Sequence, residues 1–423
     1  MLLANGRRAA GILVGSHVRR RWLFLPFCKA GSRLESFPSA AGPRRRDAAP
    51  MANIARRFAA LFLALAAPAG AADVIPFTPD RWTLSEGIKV VEHRGVPSIE
   101  IPRLPTRPEA VLKGLTFTNG TIEVDVEGTT GLGPSIGFHR RDSATYELFY
   151  VRPQAECAAK PDCVQYAPVT KNVLLWDIFP GPQAPARYLP NQWNHVKLVV
   201  SGRRLRVYVN GGAAALDVTR LEGDAHAGAI VLQGTGFLAN VKVTPGAVEG
   251  LDPRPGPDPT AKDARYVRNW MVSPVVALAA GATPDVATRP TAKGEWTPLP
   301  AETGGLVNIS RRYGLPEGRS LVWLRTTIRA AAKSGKRAAI GWNDEVWVFV
   351  NGRQVYADVN DYLKPELRKK PDGRLSLENG AFTLPLEAGD NDVVVGVANA
   401  FFGWGLMLRL DDSSGVTLAP STR

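Results

Sequence analysis

Three carboxylates occupy alternate positions in the sequence Glu123-Val-Asp125-Val-Glu127. Because side chains of a β-strand alternate between two faces, these carboxylates should share one face, with Ile122 and Val124 on the other. A pair of carboxyl groups can cleave a glycosidic bond, one as acid and one as nucleophile, when they lie about 5–5.5 Å apart. Four residues of strand span about 13 Å, so the spacing favours a solvated polar face. We keep Glu123 as a candidate catalytic residue.

A second set of polar side chains follows from the alternation of two later strands. If Ile136 and Phe138 face the core, His139 faces the opposite side. By the same rule, Glu147 faces outward if Tyr146 and its alternate neighbours are internal. Glu147 could then act as a general acid/base, provided that burial or a neighbour raises its pKa.

A carboxylate, cations, an amide and aromatic rings on one sheet face suit a saccharide. Such a ligand needs paired polar contacts together with stacking of its C–H groups on a ring. The candidate ligand-binding residues are His139, Arg140, Arg152, Asp162, Gln165, Tyr166 and Trp176. The alternative places Tyr150 and Trp176 in the core, with Glu147 paired to a nearby arginine.

Aromatic and polar residues also lie together in two glycine-flanked segments of the second half, Gly341-Trp-Asn-Asp344 and Gly403-Trp404-Gly405. Loop aromatics beside Asp and Asn fit the rim of a carbohydrate site. We therefore predict that Trp342, Asp344 and Trp404 bind ligand and that Trp347 fills the core.

Other chemistries find less support in the sequence. Gly133-Pro-Ser135-Ile-Gly137 matches the G-x-S-x-G nucleophile pattern, but a β run replaces the helix that would expose the serine, so we predict a glycine loop. The stretch Asp358-Val-Asn360-Asp361 offers oxygen ligands for Ca²⁺, yet it lacks the EF-hand glycine and glutamate spacing, which favours a plain turn.

No P-loop, dinucleotide-binding, H-E-x-x-H or paired C-x-x-C motif occurs. We predict no metal and no other cofactor.

The basic charge of the chain is concentrated at its start. The 423 residues carry a formal net charge of +13, but residues 1–72 hold twelve basic and two acidic side chains. The remaining 40 basic and 37 acidic groups are nearly balanced. This balance argues against a nucleic-acid partner.

Residues 1–72, which we call the leader, contain the order of a Sec-type signal peptide that begins at Met51. Arg56-Arg57 precede ten apolar residues, 58–67, and the small residues Ala69-Gly70-Ala71 follow. Ten apolar residues cannot span a membrane, and no later segment reaches 18, so we expect a mature chain without a membrane span. We predict a periplasmic or secreted protein that starts near residue 72. We expect residues 1–50 to be untranslated, with an unusually long n-region as the alternative.

The cysteines agree with export. Cys28 lies in the leader, which leaves Cys157 and Cys163 six positions apart. An even pair in an oxidising compartment favours a disulfide over a metal site.

The elements that must position these residues are β-strands. Period-two alternation and glycine turns dominate after the leader, which predicts an all-β fold. Asn210-Gly211 and Asn351-Gly352 predict type I′ hairpin turns, and residues 275–282 predict one short helix. The proline-rich stretch 246–263 cannot join a sheet and divides the chain. We predict two antiparallel β-sandwich (jelly-roll) domains, 73–245 and 264–420, joined by this linker, with 1–72 as the leader.

Several segments of the first domain resemble the concanavalin-like, laminin-G-type jelly roll. These are Phe117-Thr-Asn-Gly-Thr-Ile-Glu-Val, Ile136-Gly-Phe-His139, Tyr146-Glu-Leu-Phe-Tyr-Val-Arg152, Trp193-Asn-His-Val-Lys, Val207-Tyr-Val-Asn-Gly211 and Gly228-Ala-Ile-Val-Leu-Gln-Gly234. The same order is similar to a family of exported bacterial 3-keto-glycoside hydrolases. The E-x-D-x-E array also resembles the nucleophile, assistant and acid of laminarinase-type glycosidases, although that family carries its array on a later strand.

The second domain is similar to the galactose-binding-like jelly roll that accompanies many glycosidases. The residues that carry this likeness are Val322-Trp-Leu-Arg-Thr-Thr, Gly341-Trp-Asn-Asp344, Val346-Trp-Val-Phe-Val-Asn-Gly352, Leu386-Glu-Ala-Gly-Asp-Asn-Asp392 and Phe402-Gly-Trp-Gly405.

Together these features predict an exported protein whose two modules bind an oligosaccharide or polysaccharide. One alternative is a glycoside hydrolase of the 3-keto-glycoside type, with Glu147 or Glu123 as acid/base and the second domain as its carbohydrate-binding module. A second alternative is an adhesion module whose partner is another protein. A shared fold does not decide among them.

Overall fold

The computed structural model describes residues 72–128 and 131–418, which belong to one compact unit, Pro68–Arg423. The predicted signal peptide from Met51 lies outside the described residues. None of the helices in the described ranges combines the length and the apolar character that a membrane span requires.

The first half of the described chain forms a β-sandwich. Its strands are β1 (Trp82–Leu84), β2 (Lys89–His93), β3 (Val96–Ile101), β4 (Ala110–Leu112), β5 (Gly120–Glu127), β6 (Ser135–Asp142), β7 (Thr145–Val151), β8 (Val164–Thr170), β9 (Val173–Leu174), β10 (Gln183–Ala184), β11 (Asn194–Ser201), β12 (Arg204–Val209), β13 (Leu216–Val218), β14 (Ala229–Gln233) and β15 (Gly236–Pro245). A 3₁₀ turn covers Cys157–Ala159.

Two antiparallel sheets make up this first sandwich. Sheet A has the order β1-β4-β14-β6-β7-β8-β10, with β9 paired to β8, and sheet B has the order β13-β12-β11-β5-β15-β3-β2. Their facing sides enclose one apolar core, to which Ile122, Val124 and Val126 of β5 contribute. The predicted alternation of this strand is confirmed. The disulfide between Cys157 and Cys163 is also confirmed, and both cysteines belong to the same core.

The second half forms another sandwich. Its strands are β16 (Met271–Val272), β17 (Val276–Ala277), β18 (Thr297–Pro298), β19 (Val307–Asn308), β20 (Ser320–Ala330), β21 (Ser334–Trp342), β22 (Asp344–Val350), β23 (Arg353–Asn360), β24 (Gly380–Leu386), β25 (Gly389–Asn399), β26 (Gly405–Leu410) and β27 (Val416–Leu418). Its helices are α1 (Ile309–Tyr313) and 3₁₀ turns at Val286–Thr288, Lys293–Glu295, Thr303–Gly305 and Pro365–Leu367.

Sheets C and D of this sandwich are also antiparallel. Sheet C has the order β18-β16-β20-β25-β22-β23, with β17 and β27 paired to β20, and sheet D has the order β19-β26-β21-β24. Val346 and Val348 of β22 face sheet D across the main core, whereas Trp347 and Phe349 pack with Trp323 on the other side of sheet C. The predicted all-β fold of antiparallel sandwiches is therefore confirmed.

The predicted turns have mixed outcomes. Asn351 and Gly352 alone join β22 to β23, and both have the positive φ that a type I′ turn requires. Asn210 also has positive φ, but it begins a longer loop, 210–215, because its side chain is tied to the His195 amide and the Arg187 carbonyl. The prediction of a two-residue type I′ turn at Asn210-Gly211 was therefore wrong. The prediction of a short helix over 275–282 was wrong as well, since β17 lies there and pairs with the start of β20.

Residues of the proline-rich stretch 246–263 contact both sandwiches. The Pro253 carbonyl accepts from the Arg203 amide at 3.0 Å, and the Gly256 amide donates to the Thr219 carbonyl at 2.7 Å. The Asp258 carboxylate accepts from the Gly304 amide at 3.1 Å. The role of this stretch as a domain linker stays a prediction.

Candidate functional site

The outer face of sheet A, which points away from sheet B, is apolar in its middle and is covered by the second sandwich. Strand alternation places Tyr146, Leu148 and Tyr150 of β7 on this face together with apolar residues of β8 and β14. Tyr362, Phe401 and Phe402 of the second sandwich pack against them. The two sandwiches therefore meet along this face.

At one end of the covered face, four polar side chains form a continuous hydrogen-bonded row. The Tyr146 hydroxyl donates to Gln233 Oε1 at 3.1 Å, and Gln233 Nε2 donates to Glu109 Oε2 at 3.0 Å. Arg140 pairs with the other oxygen of Glu109, and both of these side chains keep part of their surface in solvent. A partly exposed carboxylate and guanidinium retain free lone pairs and N–H groups for a ligand.

Aromatic rings of the second sandwich pack on the same face and are half-buried, and Tyr362 and Phe402 meet Trp176 edge-on at 4.7 and 5.9 Å between ring centroids. Phe401 stacks on Tyr362 at 5.9 Å between ring centroids and meets Phe402 edge-on at 4.6 Å. The exposed Arg107 guanidinium lies 5.9 Å from the Phe402 ring centre. We call this combination the junction site; it consists of Glu109, Arg140, Tyr146, Gln233, Tyr362, Phe401 and Phe402.

The predicted residues Arg152, Asp162, Gln165 and Trp176 are brought together at the other end of the face. Arg152 donates to Gln165 Oε1 at 2.7 Å and to the Tyr150 hydroxyl at 3.1 Å, and its guanidinium lies 5.7 Å from the Trp176 ring centre. Asp162 lies at the edge of this cluster, within 4.0 Å of Arg152. Gln165 and Trp176 are buried, so these contacts brace the junction from inside.

Asp177 ties the two sandwiches together next to Trp176. Its carboxyl oxygens accept from the Gly403 amide at 3.0 and 3.1 Å and from Asn343 Nδ2 at 3.2 Å. A Cβ on Gly403 would lie 2.3 Å from Asp177 Oδ1, so glycine is required for this contact. Burial raises the pKa of Asp177 to about 8, and the nearby Asp344 carboxyl adds to the effect. Asp177 was not among the predicted residues.

Asp344, a predicted ligand-binding residue, lies at the base of the Phe401 loop. Its Oδ2 accepts from the Ala400 amide at 2.7 Å, and its backbone has a positive φ of 57°. Burial raises the pKa of this carboxyl to about 7, and Asp361 and Glu345 contribute in the same direction.

Glu147 does not face outward as predicted. It lies opposite Phe138 across the β6–β7 pair, on the side of sheet A that faces the sandwich interior, and its side chain is fully buried. The predicted ligand-binding residue Tyr166 is buried there too and donates to Glu147 Oε2 at 2.6 Å. Arg203 lies 3.9 Å away. Burial raises the pKa of Glu147 to about 7 despite these partners.

His139 was also predicted to lie on the ligand face, and this was wrong. The β6–β7 register shifts after Phe138, and His139 has a φ of 52°. This bulge turns the imidazole against Phe117 and Phe138, where Nε2 contacts the Thr118 carbonyl at 2.7 Å. Burial lowers the pKa of His139 to about 4, so the ring is neutral.

The Glu123-Asp125-Glu127 array lies on the outer side of sheet B, whereas the junction row belongs to sheet A. His195 bridges Asp125 and Glu123, at 2.7 and 3.2 Å. Glu127 is covered by His93 and Arg94. The carboxylates share a face as predicted, and each is paired with a cation or an imidazole.

Trp342 and Trp404 do not line a ligand rim. Both are fully buried in the main core of the second sandwich, because Trp342 ends β21 and Trp404 directly precedes β26, where both side chains point between sheets C and D. Trp347 is buried as predicted, but it belongs to the separate cluster on the other side of sheet C.

The stretch Asp358-Val-Asn360-Asp361 uses its oxygens within the protein. Asp358 accepts from the Tyr356 hydroxyl and contacts Lys369, while Asp361 accepts from the Leu363 amide. Among the described residues, no group of three or more His, Cys, Asp or Glu side chains is placed to hold a metal ion.

Several junction residues escaped the sequence analysis. Glu109 and Tyr362 belong to no sequence motif, and Gln233 lies only within a segment that carries the fold likeness. The adjacent aromatic residues Phe401 and Phe402 beside Gly403 are the sequence signal that could have indicated this site. Phe402 entered the sequence analysis only as part of the likeness to the galactose-binding-like fold.

No protein-family profile and no curated protein matches the chain. Among solved structures, it is similar to the carbohydrate-binding module CBM66 from Bacillus subtilis, at 16% identity over 38% of this chain and 93% of the module, with a TM-score of 0.29. It is also similar to domain 4 of AbnA, a GH43 extracellular arabinanase from Geobacillus stearothermophilus, in complex with arabinotriose (14% identity, 42% and 88% coverage, TM-score 0.28). A third is the exoplasmic domain of VIP36 bound to Ca²⁺ and Man3GlcNAc (11% identity, 44% and 92% coverage, TM-score 0.30). These identities and TM-scores are too low to transfer a ligand to this chain.

Proposed function

We propose that the protein binds an oligosaccharide or polysaccharide at the junction site. The observation that supports this most is the row Tyr146–Gln233–Glu109–Arg140 on the same face of sheet A against which the half-buried Phe402 ring packs. The row offers a sugar paired polar contacts with its hydroxyl groups, and the ring offers a surface for its C–H groups. The row belongs to the first sandwich and the ring to the second. A saccharide bound to the row and the ring would therefore contact both sandwiches.

The test is an oligosaccharide array, including oxidised keto forms, followed by calorimetry on the best ligand. Arg140→Ala removes a charged hydrogen-bond donor, which is worth roughly 1.5–3 kcal/mol, so its affinity should fall by about ten- to a hundredfold. Phe402→Ala should lower affinity by about tenfold because it loses the ring contact.

Arg329→Ala is the matched control for Arg140→Ala, since Arg329 is an exposed arginine paired with Asp390 on sheet C. It should bind like the wild type. Unchanged affinity in both junction variants would refute the site, and silence on every sugar would favour the adhesion module instead.

Glycoside hydrolysis is the second candidate, and the geometry of Asp344 favours it. This half-buried carboxyl accepts from the Ala400 amide at the base of the Phe401 loop, and its raised pKa suits proton donation near neutral pH. Glu147 is a poorer acid for this purpose because a general acid must come within hydrogen-bond reach of its substrate, and its side chain is fully enclosed.

The likeness in residue pattern to exported 3-keto-glycoside hydrolases makes 3-keto-glycosides the first substrates to assay. Turnover lost in Asp344→Asn but kept in Glu147→Gln would support hydrolysis at the junction. Turnover that survives Asp344→Asn would exclude this carboxyl as the acid.

We also propose that the protein is exported and matures near residue 72. The disulfide supports an oxidising compartment. N-terminal sequencing of the protein recovered outside the cytoplasm tests this directly, and retention of residues 1–50 would refute it.

A further inference from the structure

A cavity of about 580 Å³ lies where the first sandwich, the proline-rich stretch and the second sandwich meet. We call it the linker cavity. Its volume is in the range of small-molecule sites, roughly 300–1,000 Å³. Asp217 and Thr219 on its lining are exposed, so a ligand can reach it from solvent.

Most of the lining of the linker cavity is apolar. Phe179, Leu306, Leu375 and Met407 contribute, together with proline rings such as Pro257. Flat proline and phenyl surfaces suit a ring-shaped ligand, because such rings bury much area without losing internal freedom.

One carboxyl on this lining has no partner. Glu222 makes no side-chain hydrogen bond and no ion pair within the described part of the chain, although its backbone amide is held by the Tyr166 hydroxyl at 2.7 Å. Burial raises the pKa of Glu222 to about 7, so near neutral pH this carboxyl can either donate or accept a hydrogen bond. Its backbone is fixed while its functional group is free for a ligand.

The surrounding charges determine which ligand the carboxyl favours. Arg220, Arg203 and Arg311 all act on Glu222 and would repel an added cation, while Glu302 acts on it with the opposite sign. An added anion finds these three arginines already engaged, because Arg311 is paired with Asp224 and Glu302 while Arg203 and Arg220 donate to backbone carbonyls. A neutral hydrogen-bonding group fits this balance best.

We propose that the linker cavity binds a neutral, ring-containing alcohol or phenol, with its ring on the apolar lining and its hydroxyl bonded to Glu222. This site is separate from the junction site and does not depend on saccharide binding there.

Calorimetry on the full mature chain with phenol, anisole, benzylammonium and benzoate tests the proposal. Anisole has the same ring as phenol but no hydroxyl donor, so phenol should bind about tenfold more tightly, as expected for one hydrogen bond. Both charged probes should bind more weakly than phenol. Equal affinity for phenol and anisole would overturn the proposal.

Variants localise the site. Glu222→Gln keeps a hydrogen-bonding group and should keep the preference for phenol, whereas Glu222→Leu should bring the phenol-to-anisole ratio to about one. Thr219→Trp fills the cavity from its exposed edge and should abolish binding of both phenol and anisole. Unchanged phenol binding in Thr219→Trp would overturn the proposal, and this test remains valid even if Glu222→Leu does not fold. Phe402→Ala should bind phenol like the wild type, so failure at the junction and failure at the cavity are distinguishable.

Discussion

Gly403 offers a sharp test of how the two sandwiches are joined. Its φ lies outside the positive range, so alanine meets no backbone obstacle there, and only space decides the outcome. An added Cβ would lie 2.3 Å from Asp177 Oδ1 and 2.8 Å from Ile178 Cγ2. Both atoms belong to buried side chains of the first sandwich. Neither is the free end of a flexible chain, so the Gly403 segment has to move.

The expected cost follows from two contributions. Overpacking a filled interior costs about 1–3 kcal/mol. Separating the Gly403 amide from Asp177 weakens a buried hydrogen bond, which adds about 1 kcal/mol. We therefore expect Gly403→Ala to lower the free energy of unfolding by about 2–4 kcal/mol. Phe402 directly precedes Gly403, so saccharide affinity at the junction site should fall in the same variant.

Urea unfolding and calorimetry with the array-selected sugar measure the two effects. Gly294→Ala is the matched control, because Gly294 also lacks positive φ and a Cβ there would meet no atom within 4 Å. It should change stability by no more than about 0.5–1 kcal/mol. A Gly403→Ala protein as stable as the control would refute the reasoning, whether or not its saccharide affinity falls.

Three further predictions concern buried groups. Because burial raises the pKa of Asp177 from 3.8 to about 8, the folded chain holds a proton that the unfolded chain releases. The contribution of Asp177 to stability should therefore be complete below about pH 4 and be lost by up to about 1.4 kcal/mol per unit towards pH 8. Asp177→Asn should remove this component from urea titrations across that range, and an unchanged pH profile would contradict it. Gly223→Ala should destabilise the chain by about 2 kcal/mol, since its Cβ would lie 2.6 Å from the enclosed Glu147 carboxyl; an unfolding curve like that of the wild type would exclude this contact. Reducing the Cys157–Cys163 disulfide, which closes a short loop, should lower the unfolding free energy by about 2 kcal/mol, and identical curves with and without dithiothreitol would show that the bridge is dispensable.

The strands could be predicted because their pattern is local. In β5, each apolar residue alternates with a polar one, and the buried side follows directly. The two-residue Asn351-Gly352 turn is equally local, since both residues adopt positive φ readily.

The side on which Glu147 lies could not be predicted from the same rule. Alternation shows which residues of β7 share a face, but all seven are buried, so polarity does not identify the interior. The apolar residues Tyr146 and Leu148 suggested a core face, and they are buried under the second sandwich instead. His139 failed for a related reason: its bulge depends on the pairing of two strands and leaves no mark in the sequence.

The apolar outer face of sheet A explains why the junction depends on distant residues. Without the second sandwich, Tyr146, Leu148 and Tyr150 would form an exposed apolar patch, which a soluble protein rarely leaves uncovered. Phe401 and Phe402 cover that patch on the same face of sheet A from which Tyr146 begins the row to Glu109 and Arg140. The same packing that stabilises the contact therefore builds the site. Because this apolar face is buried only when both sandwiches are folded, we expect their stabilities to be coupled.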